Sequence, residues 1–168
     1  MNDSPNVVAR SRWLLTIGSI GPLGHLPASG TVAVAVAGIP LSWLMRNYLP
    51  PMTYWIVVIA YTAFAVWLHD VGDRMLREKD SRKLVLDELV GWFIAAAVMP
   101  FIWQTITVAF LIERAIDIVK VPPARWIERR VPGGLGVVGD DVIAGLYTLL
   151  IMVAATNWSV TRPLLGLE

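Results

Sequence analysis

The residues best equipped for chemistry in this chain are its acids. Thirteen Asp and Glu occur among 168 residues, and eleven of them fall between Asp70 and Asp141. Two adjacent pairs abut apolar stretches, Asp87-Glu88 and Asp140-Asp141. Each pair is expected to open a helix. There it can act as a cap and meet the helix dipole favourably, an effect worth about 0.3–1 kcal/mol. Two such pairs at one membrane face read differently, because acids at membrane depth are expensive and mark function. Carboxylates are also the hard oxygen ligands that Mg²⁺ prefers. Asp87, Glu88, Asp140 and Asp141 are therefore the candidate metal ligands. Neighbours on a helix diverge by about 100°. One of Asp140 and Asp141 should thus face the ion while the other supports or caps.

Arg114, Asp117 and Lys120 are spaced i, i+3, i+6 and share a broad helix face. Two cations flanking an aspartate suit a phosphate bound beside a metal. The plainer reading is a solvated face with intrahelical ion pairs. Glu113, four residues before Asp117, reads as a surface acid. The stretch GSIGPLGHLPASGT, from Gly18 to Thr31, opens an apolar block. Gly30 and Thr31 there can present backbone amides to an anion. The glycines from Gly133 to Gly139 permit a sharp turn into Asp140 and Asp141. His25 reads as a loop histidine and His69 as an interfacial one. No cysteine is present, which excludes disulfides, thiolate metal sites and a phosphocysteine intermediate. Two histidines are too few for a multi-histidine metal site. Acid-base or metal chemistry must come from carboxylates.

These residues need a scaffold, and the composition says which kind. Hydrophobic residues make up 56% of the chain and charged residues only 16%, against about 25% in soluble domains. Mean hydropathy is +0.61 and there are eight tryptophans. This is a membrane-embedded composition. The net charge of +1 provides no field to recruit nucleic acid. The length suits one domain over residues 1–168, with a polar N-terminal tail at 1–12 and a C-terminal tail at 159–168. Arg10 and Arg12 precede an apolar run, but Gly18, Gly21, Pro22 and Gly24 break it, so it is read as retained rather than as a signal peptide.

Four apolar blocks follow: Thr31 to Met45, Met52 to Leu68, Leu89 to Ile112 and Val142 to Trp158. A spanning helix needs about 17 to 25 apolar residues. The first block is short and carries Pro40. All fourteen Lys and Arg lie outside the blocks, five in each of the charged segments His69–Glu88 and Glu113–Asp141. The positive-inside rule puts both segments on the cytoplasmic face. A single crossing by the third block would separate them. Pro100 in its middle removes a backbone donor and breaks the helix. Leu89–Met99 and Phe101–Ile112 then become two short helices that enter and return. The expected fold is all-α: a small polytopic membrane helical bundle with a Pro-broken, re-entrant or interfacial hairpin.

Three blocks of this sequence resemble the bacterial phosphatidylglycerophosphatase A family, a group of membrane lipid phosphatases. They are LVLDELVG (Leu84 to Gly91), DIVK (Asp117 to Lys120) and GGLGVVGDDVIAG (Gly133 to Gly145). Gly30-Thr31 matches the end of the family's APGT motif, and the order and spacing agree. Ser29, Val32, Ser81, Val121, Pro122 and Asp73 depart from the usual residues. None of these departures removes a matched carboxylate or Lys120. The resemblance implies Mg²⁺-dependent hydrolysis of phosphatidylglycerophosphate to phosphatidylglycerol and phosphate at the inner membrane. It implies catalysis by Asp87, Glu88, Asp117, Asp140 and Asp141. Arg114, Lys120, Gly30 and Thr31 would bind phosphate, and the site would face the cytoplasm. Rival readings are a phosphatase or phosphotransferase for another lipid or polyprenyl phosphate, and a non-enzymatic transporter or scaffold. A transporter would carry its charges in the middle of its apolar blocks, whereas here they lie at block ends.

Overall fold

The computed structural model describes residues 13–76, 81 and 83–167, and among these every regular element is helical. The main helices are α1 (Ser29–Tyr48), α2 (Pro51–Leu76), α3 (Leu86–Ala95), α4 (Trp103–Val119), α5 (Ala124–Arg130) and α6 (Gly134–Asn157). The expected N-terminal tail lies outside the described residues.

Helices α1, α2 and α6 are long and apolar enough to cross a bilayer. They leave Ile56, Ile59, Trp67 and Leu150 exposed, as lipid-facing side chains would be. The chain is a membrane protein. The first block is longer than its proline suggested. A π-helical turn at Val34–Gly38 lies just before Pro40. That wider turn absorbs the missing N–H and the ring clash, so the helix runs on through 20 residues. The second block also outruns its apolar run, and α2 carries His69 and Asp70 on its last turns.

The third block is interrupted over residues 96–102, a stretch that includes Pro100, and its halves end elsewhere than the sequence suggests. The first half is α3. The second, α4, has 17 residues and continues through the charged residues Glu113 to Asp117. It is longer than the short helix expected. Carbonyls freed at the break are satisfied locally. The Arg46 guanidinium donates to the carbonyl of Ala96 at 3.0 Å and to that of Met99. The Thr105 hydroxyl donates to the carbonyl of Ile102 at 2.9 Å and to that of Pro100. Irregular backbone inside a membrane protein requires such partners.

The core is built around α3, in which every residue except Glu88 is buried. The Trp92 indole donates to Ser42 Oγ at 2.9 Å, and the Tyr54 hydroxyl donates to the Phe93 carbonyl at 2.6 Å. Against α6 the backbones touch. A Cβ on Gly145 would sit 2.4 Å from the Gly91 carbonyl oxygen, and one on Gly91 would sit 2.9 Å from that of Asp141. Small residues allow helices to approach this closely. Gly91 lies one turn beyond Asp87, and Gly145 one turn beyond Asp141. The glycine contact therefore brings the two acidic pairs together. At the C-terminus, a 3₁₀ turn at Pro163–Leu165 buries Leu165, so this tail packs onto the bundle.

Candidate active site

Asp87 and Glu88 lie in the first turn of α3, as expected of acids near a helix start. Asp140 and Asp141 do not open their helix. The chain turns at Gly133, whose φ of 68° suits glycine, and α6 begins at Gly134. The Gly134 N–H donates to Asp70 Oδ1 of α2 at 2.7 Å. Asp70 thus caps α6, and Asp140 and Asp141 sit in its second turn, where capping no longer explains them.

A cavity of about 730 Å³ joins the regions that the chain keeps apart. Asp87, Glu88, Arg114, Asp117, Lys120, Asp140 and Asp141 line it together with Gly30 and Thr31. Asp87, Asp140, Asp141 and Arg114 are buried in its floor. Gly30 and Thr31 are in the first turn of α1, where amides lack intrahelical acceptors. The Glu88 carboxylate covers Gly30 so closely that a Cβ there would sit 1.9 Å from Oε1.

Arg114 forms two 2.6 Å hydrogen bonds to Glu113. It also lies 3.4 Å from Asp117 and 4.0 Å from Asp141. Glu113, expected at the surface, is fully buried, because α4 turns that face toward Gly91 of α3. Burial pushes its carboxyl up, with Arg114 pulling the other way. Asp117 is likewise raised by burial against the pull of Arg114. Lys120 Nζ bridges Glu128 of α5 at 2.7 Å and Asp140 at 2.8 Å. Burial alone would lower this ammonium, but the two carboxylates raise it, so it stays charged.

His69 is the clearest residue missing from the sequence reading. Expected at the interface, it is fully buried, with Nε2 3.3 Å from Asp87 Oδ1. Against the upward push of burial, this imidazole helps hold Asp87 at about 2. Glu88 goes the other way. Burial, then the Asp87 charge, drives it well above the ordinary carboxyl range. Glu128 was missed as well. Neither residue lies in a motif, and only the tertiary packing brings them here.

Buried carboxyl oxygens of Glu88 (Oε2) and Asp141 (Oδ1) lack a hydrogen-bond partner, while Asp87 Oδ1 faces the His69 imidazole at 3.3 Å. Among the described residues, no three acids or histidines are placed to hold a metal ion together. Mg²⁺ does not require three. It is usually held by one or two carboxylates, waters and a substrate phosphate. Orphaned carboxyl oxygens beside paired cations fit that mode.

Paired acids and cations around a cavity in a membrane helical bundle are the groups an integral-membrane enzyme needs to handle a phosphate ester. The comparisons with known proteins narrow this. Residues 16–156 match the phosphatidylglycerophosphatase A family, and the chain belongs to it. It is 32% identical over 153 residues to phosphatidylglycerophosphatase A of Escherichia coli, covering 86% of this chain and 87% of that one. The Haemophilus influenzae protein of the same name is 31% identical over 146 residues, 86% and 88% of the two chains. A Bacteroides thetaiotaomicron protein, provisionally named a phosphatidylinositol-3-phosphatase, is 34% identical over 140 residues, 78% and 84% of the two chains. No solved structure is significantly similar. As a member of this family the protein is a phosphatase.

Lys120 separates backbone strain from function. It ends α4 with a φ of 52°, a left-handed conformation that costs a non-glycine residue about 1–2 kcal/mol. Lys120→Ala and Lys120→Gly should both lower phosphatase activity by about 100-fold, as loss of one charge-stabilising donor does. Both leave Asp140 without its ammonium. In denaturant titrations of the detergent-solubilised protein, the Gly variant should be the more stable of the two by about 1 kcal/mol. Equal stabilities would remove the strain argument.

Proposed function

We propose that the protein hydrolyses the terminal phosphomonoester of phosphatidylglycerophosphate, giving phosphatidylglycerol and phosphate. The reaction belongs to glycerophospholipid synthesis at the bacterial inner membrane, and it uses Mg²⁺. The observation carrying this reading is the single cavity that gathers Asp87, Asp117, Asp140 and Asp141 with Arg114 and Lys120. Two relatives named for this substrate supply its identity.

One or two carboxylates drawn from Asp87, Glu88, Asp140 and Asp141 would hold Mg²⁺, which when bound would neutralise phosphate charge and sharpen the nucleophilicity of water. Arg114 and Lys120 bind the phosphate oxygens, and the amides of Gly30 and Thr31 can add donors from the start of α1. Glu113 and Asp117 orient Arg114. A carboxylate of the acidic pairs takes the proton of the attacking water as the phosphorus–oxygen bond to the glycerol breaks, and the departing glycerol oxygen takes up a proton from that carboxyl or from water. Such displacement needs mainly positioning and charge neutralisation.

The topology agrees with a headgroup-level site. Crossings by α1, α2 and α6 leave residues 29, 76 and 134 on one side. If α3 and α4 form the re-entrant pair, Asp87 and Lys120 return to that side too. The basic residues of both charged segments favour the cytoplasmic side by the positive-inside rule. The relative named for phosphatidylinositol favours a second reading, a phosphomonoester on another lipid headgroup.

The test is phosphate release from phosphatidylglycerophosphate in mixed micelles. Purified protein should release phosphate with Mg²⁺, stop on EDTA addition and recover when Mg²⁺ is restored. Release that EDTA leaves unchanged would end the metal reading. Release from phosphatidylinositol 3-phosphate alone would favour the second.

A further inference from the structure

Burial divides the cavity into a floor and a mouth. The floor holds the buried acids and Arg114, with Lys120 beside them. At the mouth, Lys83 and His25 are exposed, alongside the exposed apolar side chains of Leu26 and Ile118. The cations differ in their commitments. Arg114 and Lys120 are already paired with protein carboxylates. Among the described residues, Lys83 forms no ion pair. Its backbone is nevertheless fixed. A Cβ on Gly24 would sit 2.2 Å from the Lys83 carbonyl oxygen, so the loop carrying His25 presses directly on residue 83. The next turn is pinned by hydrogen bonds from the Val85 N–H to the Gly18 carbonyl and from the Leu84 N–H to the Ser81 carbonyl, both 2.9 Å.

A single phosphate bound in the floor has no use for a cation at the mouth. A lipid carrying a second phosphate between its terminal monoester and its acyl chains does. We infer that Lys83, with His25 beside it, forms a second anion subsite for the phosphodiester of the substrate. The inference rests on the proposed substrate and adds how its headgroup is distinguished. With the monoester in the floor, the glycerol spans the cavity, the diester meets Lys83, and the acyl glycerol leaves past Leu26 and Ile118 into lipid. A cavity of about 730 Å³ is within the usual range for small-molecule sites, about 300–1,000 Å³. The subsite then favours a phosphomonoester joined to a phosphodiester over one attached directly to diacylglycerol.

The experiment reads the two ends of the headgroup separately, by inhibition of phosphatidylglycerophosphate hydrolysis in mixed micelles with Mg²⁺. Phosphatidylglycerol keeps only the diester, and inorganic phosphate resembles only the monoester. Lys83→Gln should raise the inhibition constant of phosphatidylglycerol about tenfold, the effect of one partly screened charged contact. It should raise KM similarly, with the constant for inorganic phosphate and kcat close to wild type. Lys83→Arg should restore the lost affinity. Equal weakening of both inhibitors, or of neither, overturns the subsite while leaving the substrate reading intact. A wild-type protein that releases no phosphate from phosphatidylglycerophosphate sinks the substrate reading, and the subsite with it.

Discussion

Asp87→Asn and Asp140→Asn should each reduce phosphate release by about 10³-fold or more, the scale expected when a preorganised charge is removed from a reaction centre. Neither should unfold the protein. Both side chains are buried in the cavity floor, and asparagine preserves their shape. An amide oxygen can still accept from Lys120, which lies 2.8 Å from the Asp140 carboxylate. Removing the Asp140 charge also relieves repulsion in a floor where the buried acids crowd together, whereas Asp87→Asn gives up the ion pair with His69. The thermal midpoint in detergent should therefore hold steady or rise for Asp140→Asn, the trade between stability and function expected of a strained site, and fall modestly for Asp87→Asn, while activity vanishes in both. Helical circular dichroism and the melting midpoint would establish the fold, and phosphate release the loss. If both variants kept wild-type activity, the carboxylate site would be wrong even though the family assignment stood.

What could be read in advance was local. Asp87-Glu88 and Asp140-Asp141 declared themselves by adjacency, and Pro100 by its place in an apolar run. The misreadings all depend on distant packing. The start of α6 is governed by Asp70, 64 residues before Gly134 along the chain, so Asp140 and Asp141 fall deeper in their helix than their own neighbourhood suggests. Pro40 appeared to shorten α1, because a π-turn cannot be read from hydrophobic periodicity. His69 and Glu113 looked interfacial and exposed. Their burial follows from how α2 and α4 rotate against α3, and no spacing within either helix records that rotation. The Gly91–Gly145 contact explains why the cavity assembles. Both glycines lie within the family-like blocks, yet their pairing emerges only when α3 and α6 are in place.

The second large effect concerns the cation under the floor. Arg114 answers Glu113, Asp117 and Asp141 together, and Glu113 has no exposed surface at all. Replacing Arg114 with methionine leaves a buried carboxylate unpaired, which destabilises by about 3–5 kcal/mol in comparable buried pairs. The variant should express poorly, melt early and lack activity. Glu113→Gln alone should be milder, since the guanidinium retains Asp117 at 3.4 Å. The informative protein is the double variant Glu113→Leu, Arg114→Met. Exchanging a buried ion pair for apolar side chains of similar volume is often neutral or better for stability. Its melting midpoint should recover most of what Arg114→Met lost, giving a coupling energy well above the few tenths of a kcal/mol seen between independent sites. Its activity should not recover, because the phosphate has lost its buried guanidinium. Recovery of both would make Arg114 a purely structural ion-pair partner and leave Lys120 as the cation that meets the phosphate.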